Sequence, residues 1–163
     1  MVLDRSLLLR VLAGALVVLV AWLVFEFSPD RQLDKSFARL ISAAENRDFK
    51  SLREIMDPDY RDQWNMDRTQ AVSAASEALG QFLFLRIVTE NLSGSRQGRE
   101  ATIAARLRFS GRANAVGEAI LQHVNALEDD FRFAWRRKSW KPWDWKLVSV
   151  SQNEIQFDPM ELP

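Results

Sequence analysis

The sequence predicts an α+β protein: an N-terminal transmembrane helix, then three helices packed on a curved antiparallel sheet of about four strands. Three observations lead to this prediction. A long apolar run precedes residue 28, the hydrophobic period from residue 31 to residue 81 is helical, and from residue 82 onward it is that of strands. Helices followed by strands are typical of a domain whose helices cover one face of a sheet.

Length and charge limit the kinds of protein this chain can be. Its 163 residues suffice for one domain, and the 133 residues after position 30 are enough for one hydrophobic core. The 22 basic and 22 acidic residues cancel, so no strong field exists to hold a polyanion, and we do not expect nucleic-acid binding. Because cysteine is absent, disulfides, a thiolate nucleophile and cysteine metal sites are excluded.

The N-terminal apolar run is long enough to cross a membrane. Residues 7–27 contain only two charged residues, Arg10 and Glu26, and a spanning helix needs about 20 apolar residues. A cleaved signal peptide is the alternative, but its apolar region ends at a small-x-small site, whereas this run ends in bulky residues. We therefore expect a retained signal-anchor. The predicted membrane-spanning residues include Val11, Leu12, Leu16, Val17, Val18, Leu19, Val20, Trp22, Leu23, Val24 and Phe25.

The charges that flank this run predict its orientation. Arg5, Arg10 and the amino terminus precede it, while Glu26 and Asp30 come before the first basic residue that follows. Basic residues favour the cytoplasmic side, so we expect a cytoplasmic N-terminus and a periplasmic or otherwise extracytoplasmic domain. The predicted segments are a tail at 1–6, the transmembrane helix at 7–27, a linker at 28–30, the domain at 31–152 and an irregular tail at 153–163.

Three helices are predicted at the start of the domain, over residues 31–46, 48–56 and 68–81. The first places Leu33, Phe37, Leu40, Ile41 and Ala44 on one stripe. Asp30 is expected to cap this helix and Asp48 to begin the second. Asp67 and Gln70 have the spacing of a capping box, in which each side chain accepts a hydrogen bond from the other's backbone.

Four strands are predicted after the helices, over residues 82–91, 100–111, 130–138 and 145–152. The second has the clearest alternation, with one face formed by Ala101, Ile103, Ala105, Leu107 and Phe109. A turn is expected at residues 94–98, and another at residues 139–144 joins the last two strands in a hairpin. The segment 114–127 fits either a helix or an irregular connection.

This order of elements, the aromatic hairpin and the closing strand Trp145–Val150 resemble the nuclear-transport-factor-2-like superfamily, also called cystatin-like. The resemblance covers about residues 31–152. It implies a cone in which a curved sheet wraps around a long first helix and often encloses a pocket. Hydrolase and isomerase members often place a histidine or aspartate in that pocket. Segment 114–127 departs from the pattern, since these domains usually have a turn or short strand there.

Candidate catalytic and metal-binding residues are few. His123 is the single histidine, and its place in segment 114–127 favours a surface role over that of a general base. Glu128, Asp129 and Asp130 cannot all converge on one site, because neighbouring strand residues point to opposite faces. A calcium loop at residues 57–62 lacks the required glycine and terminal glutamate. We therefore predict no catalytic residue, no cofactor and no metal site.

A cluster of tryptophans and cations is the strongest candidate surface. Four of the six tryptophans lie within 11 residues, of which Trp135 and Trp145 are expected in the core. Interleaved aromatic and cationic side chains can bind acidic partners or a membrane surface. The predicted partner-binding residues are Trp140, Trp143, Arg136, Arg137, Lys138 and Lys141.

Two functions from different classes remain open. The first is a non-catalytic binding or assembly module of a membrane or envelope complex, a layout similar to that of type IV secretion scaffold subunits. Its expected partners are membrane lipid, other membrane or envelope proteins, and a second copy of the chain. The alternative is a small-molecule carrier or an enzyme that uses the cone pocket, as ketosteroid isomerase and polyketide cyclases of the superfamily do.

Overall fold

The computed structural model describes the backbone of residues 5–26 and 28–155, and their side chains except those of residues 5–13 and Val24. Within these ranges the chain forms five helices and four strands. The elements are α1 Arg5–Glu26, α2 Pro29–Glu45, α3 Phe49–Ile55, α4 Arg68–Leu79, β1 Phe82–Gln97, β2 Glu100–Ala113, α5 Ala115–Ala126, β3 Phe131–Arg137 and β4 Trp145–Ser151. The predicted α+β class and the four-stranded antiparallel sheet are confirmed.

Some predicted features lie outside the described residues. These are most of the N-terminal tail, most of the C-terminal tail, and the side chains of Val11, Leu12 and Val24. The predicted N-terminal helix is present as α1. Across the described part of the chain, no helix has both the length and the hydropathy required to cross a bilayer.

The sheet has the order β1-β2-β3-β4, with every neighbouring pair antiparallel. Its inner face packs on the buried stripe of α2, where the Phe37 and Phe133 rings meet edge to face, 5.1 Å apart. The alternation predicted for β2 is confirmed through Leu107, and Phe109 is half-buried. The core thus lies between α2–α4 and one face of the sheet.

Caps define the ends of the helices. The predicted capping box of Asp67 and Gln70 is present at the start of α4, and Asp48 caps α3. The cap predicted at Asp30 is wrong, because α2 begins at Pro29, two residues earlier than predicted, and Ser28 accepts the N–H of Arg31. Pro29 explains the difference, since proline fits the first position of a helix and leaves the preceding serine to cap it.

The turn predicted at residues 94–98 is shorter than expected. The β1–β2 ladder continues to the pair of Gln97 and Glu100, which leaves Gly98 and Arg99 between the strands. Gly98 has φ of 62°, a conformation that glycine adopts without strain. Near the other end of this hairpin Gly111 is required by a close approach, because a Cβ there would lie 2.0 Å from the Phe84 carbonyl oxygen.

Segment 114–127 forms α5, the fourth helix of the domain. Asn114 caps it by accepting the N–H of Gly117 at 3.0 Å. The helix packs on β2 beyond Ala105, the last β2 residue paired with β3. There the Asn125 amide hydrogen-bonds both the N–H and the carbonyl of Phe109. The Asn125 side chain of α5 therefore forms the hydrogen bonds with Phe109 that a neighbouring strand would otherwise form.

The segment between α3 and α4 runs along the outer edge of β4. The N–H groups of Asp57, Arg61 and Gln63 donate to the carbonyls of residues 147, 148 and 150, at 2.8, 3.0 and 3.3 Å respectively. The Gln63 side chain continues the pattern by bonding both backbone groups of Gln152. This edge of the sheet is thus covered by the protein's own backbone.

Candidate functional site

An apolar cavity of about 210 Å³ lies between the helices and the inner face of the sheet. Its walls come from α2, α3, α4 and all four strands, and alanines at positions 44, 71 and 75 leave the space open. Among the lining residues only Tyr60 carries an ionisable side chain. The place of the cavity is the one that the superfamily resemblance implied, but its lining offers almost no polar chemistry.

Tyr60 is poorly suited to acid–base catalysis. Burial, with the nearby charge of Asp62 and the hydrogen bond to it, raises the pKa of the Tyr60 hydroxyl far above its ordinary value. Asp62 itself orders the following loop, since its Oδ1 accepts the N–H groups of Trp64 and Met66. The pair therefore holds the loop in place and does not present a base to the cavity.

The other sequence candidates for chemistry lie outside this cavity. His123 is exposed on α5. Asp130 pairs with Arg106 at 3.3 Å, and Asp129 accepts the side-chain amide of Asn153 at 2.9 Å. These acidic residues hold the entry of β3 to neighbouring segments. Over residues 5–26 and 28–155, no three potential metal ligands come together.

The predicted tryptophan cluster divides into buried and exposed members. Trp135 and Trp145 are buried in the core, as predicted. Trp140 and Trp143 lie in the β3–β4 turn with 77% and 51% of their surfaces exposed. A local pattern of alternation cannot bury side chains in a turn, and here no other described element covers Trp140.

The cations predicted around this turn have different surroundings. Arg136 is half-exposed beside Glu100, at 3.4 Å, and Lys141 is exposed. The Arg137 guanidinium lies 5.9 Å from the centre of the Trp145 ring, and the Lys138 ammonium lies 2.9 Å from the buried Asp57. Arg137 and Lys138 thus fix the turn to the domain, while Arg136 and Lys141 face outward.

The turn between β1 and β2 lies beside the turn between β3 and β4. The N–H of Arg137 donates to the carbonyl of Arg99 at 2.8 Å, and Glu100 is the strand partner of Arg136. We call residues 96–100 and 136–144 together the basic tip. It contains six basic and two acidic residues. Sequence reasoning missed the first of these segments, because only the register of β2 on β3 brings it here.

The basic tip lies at the point where α1 meets the domain. The indole N–H of Trp145 donates to the carbonyl of Pro29 at 3.1 Å, and Arg96 forms an ion pair with Asp30. The hydrogen bond from Arg96 lowers the pKa of Asp30. Pro29 and Asp30 are the first two residues of α2. Arg96 of the tip and Trp145, the residue that follows the tip, are therefore both bonded to the first turn of the helix that follows α1.

The junction itself is held by polar contacts between α1 and α2. Gln32 donates its side-chain amide to the carbonyl of Glu26 at 2.8 Å. The Glu26 carboxylate pairs with Arg31 at 3.1 Å and with Lys35. The end of α1 is therefore tied to the first two turns of α2.

Solved structures share the architecture of about three-quarters of the chain. A protein of Bdellovibrio bacteriovorus superposes with a TM-score of 0.56 at 9% identity, over 74% of this chain and 38% of that protein's length. A proposed dehydratase of the nuclear-transport-factor-2-like family from Streptomyces avermitilis gives 0.56 at 14% identity, over 75% and 93% of the two chains. The domain has the nuclear-transport-factor-2-like fold. A cystatin-like protein of unknown function from Nostoc punctiforme gives 0.53 at 12% identity, over 74% and 86%.

These likenesses confirm the predicted fold and leave function open. Identities of 9–14% show a shared backbone arrangement and carry no catalytic residue across. No protein-family model matches the chain, and no curated protein matches it in sequence. The nuclear-transport-factor-2-like fold does account for α2, which packs on the inner face of the sheet and forms one wall of the cavity.

Proposed function

We propose that the protein is a single-pass, membrane-anchored and non-catalytic binding module. Helix α1 is the observation that carries this proposal. Its described apolar side chains are exposed: Leu16, Val17, Val18, Leu19, Val20, Trp22, Leu23 and Phe25. A helix that is apolar on all sides requires apolar surroundings. In the sequence the run extends over residues 7–27 with only two charges, a length that suits the hydrocarbon layer.

The content of the cavity supports a non-catalytic role. General acid–base catalysis needs positioned groups whose pKa values lie near the working pH. The cavity offers one ionisable group, and the pKa of Tyr60 is raised away from neutrality. A site with two convergent titratable groups would support an enzyme, and the described lining lacks one.

Alkaline extraction of membranes tests the anchor. We expect the full-length protein to stay in the membrane pellet after a carbonate wash. Replacing Leu16 and Leu19 together with arginine should move it to the supernatant, because each buried charge costs about 2.5–3.5 kcal/mol at the centre of a span. Leu83→Arg is the matched control, since Leu83 is an equally exposed leucine on β1. Release of the unaltered protein by carbonate would contradict the proposal.

The basic tip is the proposed contact surface of this module. Its side chains at Trp140, Trp143 and Lys141 are exposed. In the finer form of the proposal, the module helps to assemble a membrane or envelope complex. Trp140→Ala with Trp143→Ala should reduce crosslinking of the protein to membrane components and leave its thermal unfolding unchanged. Leu83→Ala serves as the control, and equal crosslinking by the double variant would rule out the tip.

The cavity supports a second candidate, a carrier of a small apolar molecule. A space of about 210 Å³ with an apolar lining suits a compact hydrophobic ligand. Native mass spectrometry of the full-length protein should then detect a bound small molecule. Ala75→Leu should remove it, because Ala75 lines the cavity. Ala74→Leu, on the exposed side of α4, should retain it. An unliganded mass for the unaltered protein would exclude this role.

A further inference from the structure

We propose that the basic tip docks on the anionic headgroups of the membrane that holds α1, so that the domain lies against the bilayer. The inference rests on the proposed membrane anchor and names the partner of its contact surface. It follows from where the tip lies, from the charge that it carries and from the side chains that it exposes.

Chain connectivity sets the position of the tip whatever the tilt of α1. The first turn of α2 follows the anchor directly. Arg96 of the tip is bonded to Asp30 in that turn, and Trp145, the residue that follows the tip, is bonded to Pro29. A bilayer has a headgroup layer of about 5–8 Å on each side of its hydrocarbon core. Residues within one side-chain length of the end of the anchor are therefore within reach of that layer.

The charge of the tip is complementary to an anionic surface. The tip holds six basic and two acidic residues, although the whole chain is neutral. Three of the six cations already have acidic partners: Arg136 pairs with Glu100, Arg96 with Asp30 and Lys138 with Asp57. The positive charge that remains for an anionic surface is carried by Arg99, Arg137 and Lys141. Each Lys or Arg near an anionic bilayer strengthens binding by about fivefold.

The exposed side chains of the tip suit the same layer. Tryptophan is enriched at membrane interfaces, where its ring is buried and its N–H remains hydrated. Trp140 and Trp143 are both exposed in the turn that joins β3 to β4. Basic and apolar contributions act together in interfacial binding, since either alone is weak.

A protein partner fits this surface less well. Stable protein interfaces bury about 800 Å² per partner around a centre poor in charge. In the tip, Lys141 stands next to Trp140 and between it and Trp143 in the sequence, so the two exposed rings do not form a charge-free centre. Lipid headgroups can surround such a mixture of cations and aromatic rings, because they are mobile and place charge next to the apolar acyl chains.

Site-specific fluorescence in vesicles tests the docking. Because the chain lacks cysteine, Ser139→Cys gives a single labelling site in the tip of the full-length protein. Ser110→Cys is the matched control, on an exposed position of β2 about 33 Å along the strand from Glu100. In phosphatidylglycerol-containing vesicles, headgroup-attached quenchers should reduce the fluorescence at position 139 several-fold more than at position 110. Vesicles of phosphatidylcholine alone should show a smaller difference.

Charge variants separate docking from anchoring. Lys141→Ala should lower the equilibrium constant for docking about fivefold. Lys50→Ala should leave it unchanged, because this exposed lysine is near the start of α3, which follows the end of α2 that lies about 24 Å from Pro29. Equal quenching at positions 139 and 110, with the protein still in carbonate-washed vesicles, would overturn the docking and leave the anchor intact. If the protein washes off, both proposals fail. If position 139 is shielded only in native membranes and crosslinks to another protein, the partner is that protein and the lipid inference is wrong.

Discussion

The Lys138 ammonium lies 2.9 Å from Oδ2 of Asp57, whose side chain is completely buried. Asp57 follows α3, and Lys138 lies just beyond β3, so the ion pair joins the loop along β4 to the basic tip. Oδ1 of Asp57 accepts the N–H of Asp59 at 2.9 Å, while Oδ2 has no hydrogen bond among the described residues. The charge of Lys138 is therefore the main compensation for this buried carboxylate.

Removing Lys138 should destabilise the domain. Lys138→Met leaves a buried charge without its partner. We expect the free energy of unfolding, measured in denaturant titrations, to fall by about 2–3 kcal/mol. This loss is smaller than that for a fully buried ion pair, because Lys138 is partly exposed. Lys141→Met should change it by less than about 0.5 kcal/mol. Adding Asp57→Asn to Lys138→Met should recover part of the loss. Equal stability of Lys138→Met and the unaltered protein would show that the pair contributes nothing.

The Asn125 amide should be required for the end of β2. Asn125→Ala removes hydrogen bonds of 2.7 and 2.8 Å to the backbone of Phe109 and opens that backbone to water. We expect a loss of about 1–3 kcal/mol and faster amide hydrogen exchange at Phe109. Gln122→Ala, on the exposed side of α5, should change neither. Unchanged exchange at Phe109 would contradict the assigned role of Asn125.

The capping box predicts a pH dependence. Backbone N–H groups of Gln70 and Thr69 donate to the Asp67 carboxylate and lower its pKa below the ordinary value of 3.8. The carboxylate therefore stabilises the fold above that value, and this contribution is lost as the pH falls through the lowered pKa. Asp67→Ala should lower the thermal midpoint at about pH 6, and its difference from the unaltered protein should shrink at about pH 3. Asp59→Ala is the control. If the thermal midpoints of Asp67→Ala and the unaltered protein differ by the same amount at both pH values, the result would argue against the cap.

The flanking charges predict the side of the membrane on which the domain lies. With the domain extracytoplasmic, Ser110→Cys should react with an impermeant maleimide in right-side-out vesicles and remain unreactive in inverted ones. Ser6→Cys should show the opposite pattern. The two variants control for each other, because each reports on one side. Reactivity of Ser110→Cys only in inverted vesicles would place the domain in the cytoplasm.

Periodicity predicted the core well, because α2 and β2 each bury one continuous face. Segment 114–127 could not be decided in that way. Its helix depends on packing against the end of β2, where Gly117 lies so close to Ala113 that a Cβ would come within 2.5 Å of the alanine Cβ. Such a contact is tertiary, and a local window of sequence does not contain it.

The candidate site was predicted only in part for a similar reason. The exposed Trp140 and Trp143 follow from their place in a turn, which the sequence shows. The approach of Arg96 to Asp30 depends on strand register and on a sequence separation of 66 residues. The cavity is set by the small side chains of three alanines on α2 and α4, and sequence alone does not say what stands opposite them.

The backbone that covers β4 would have a consequence for a chain held in a membrane by the proposed anchor. Molecules held in one plane meet their own copies far more often than molecules free in solution. An open strand edge would then act as a template on which a second copy could add its own strand and start a fibre. Because the N–H groups of Asp57, Arg61 and Gln63 already occupy the outer carbonyls of β4, this edge cannot recruit a neighbour. With the membrane anchor proposed above, the β4 edge would thereby be protected from pairing with a second copy.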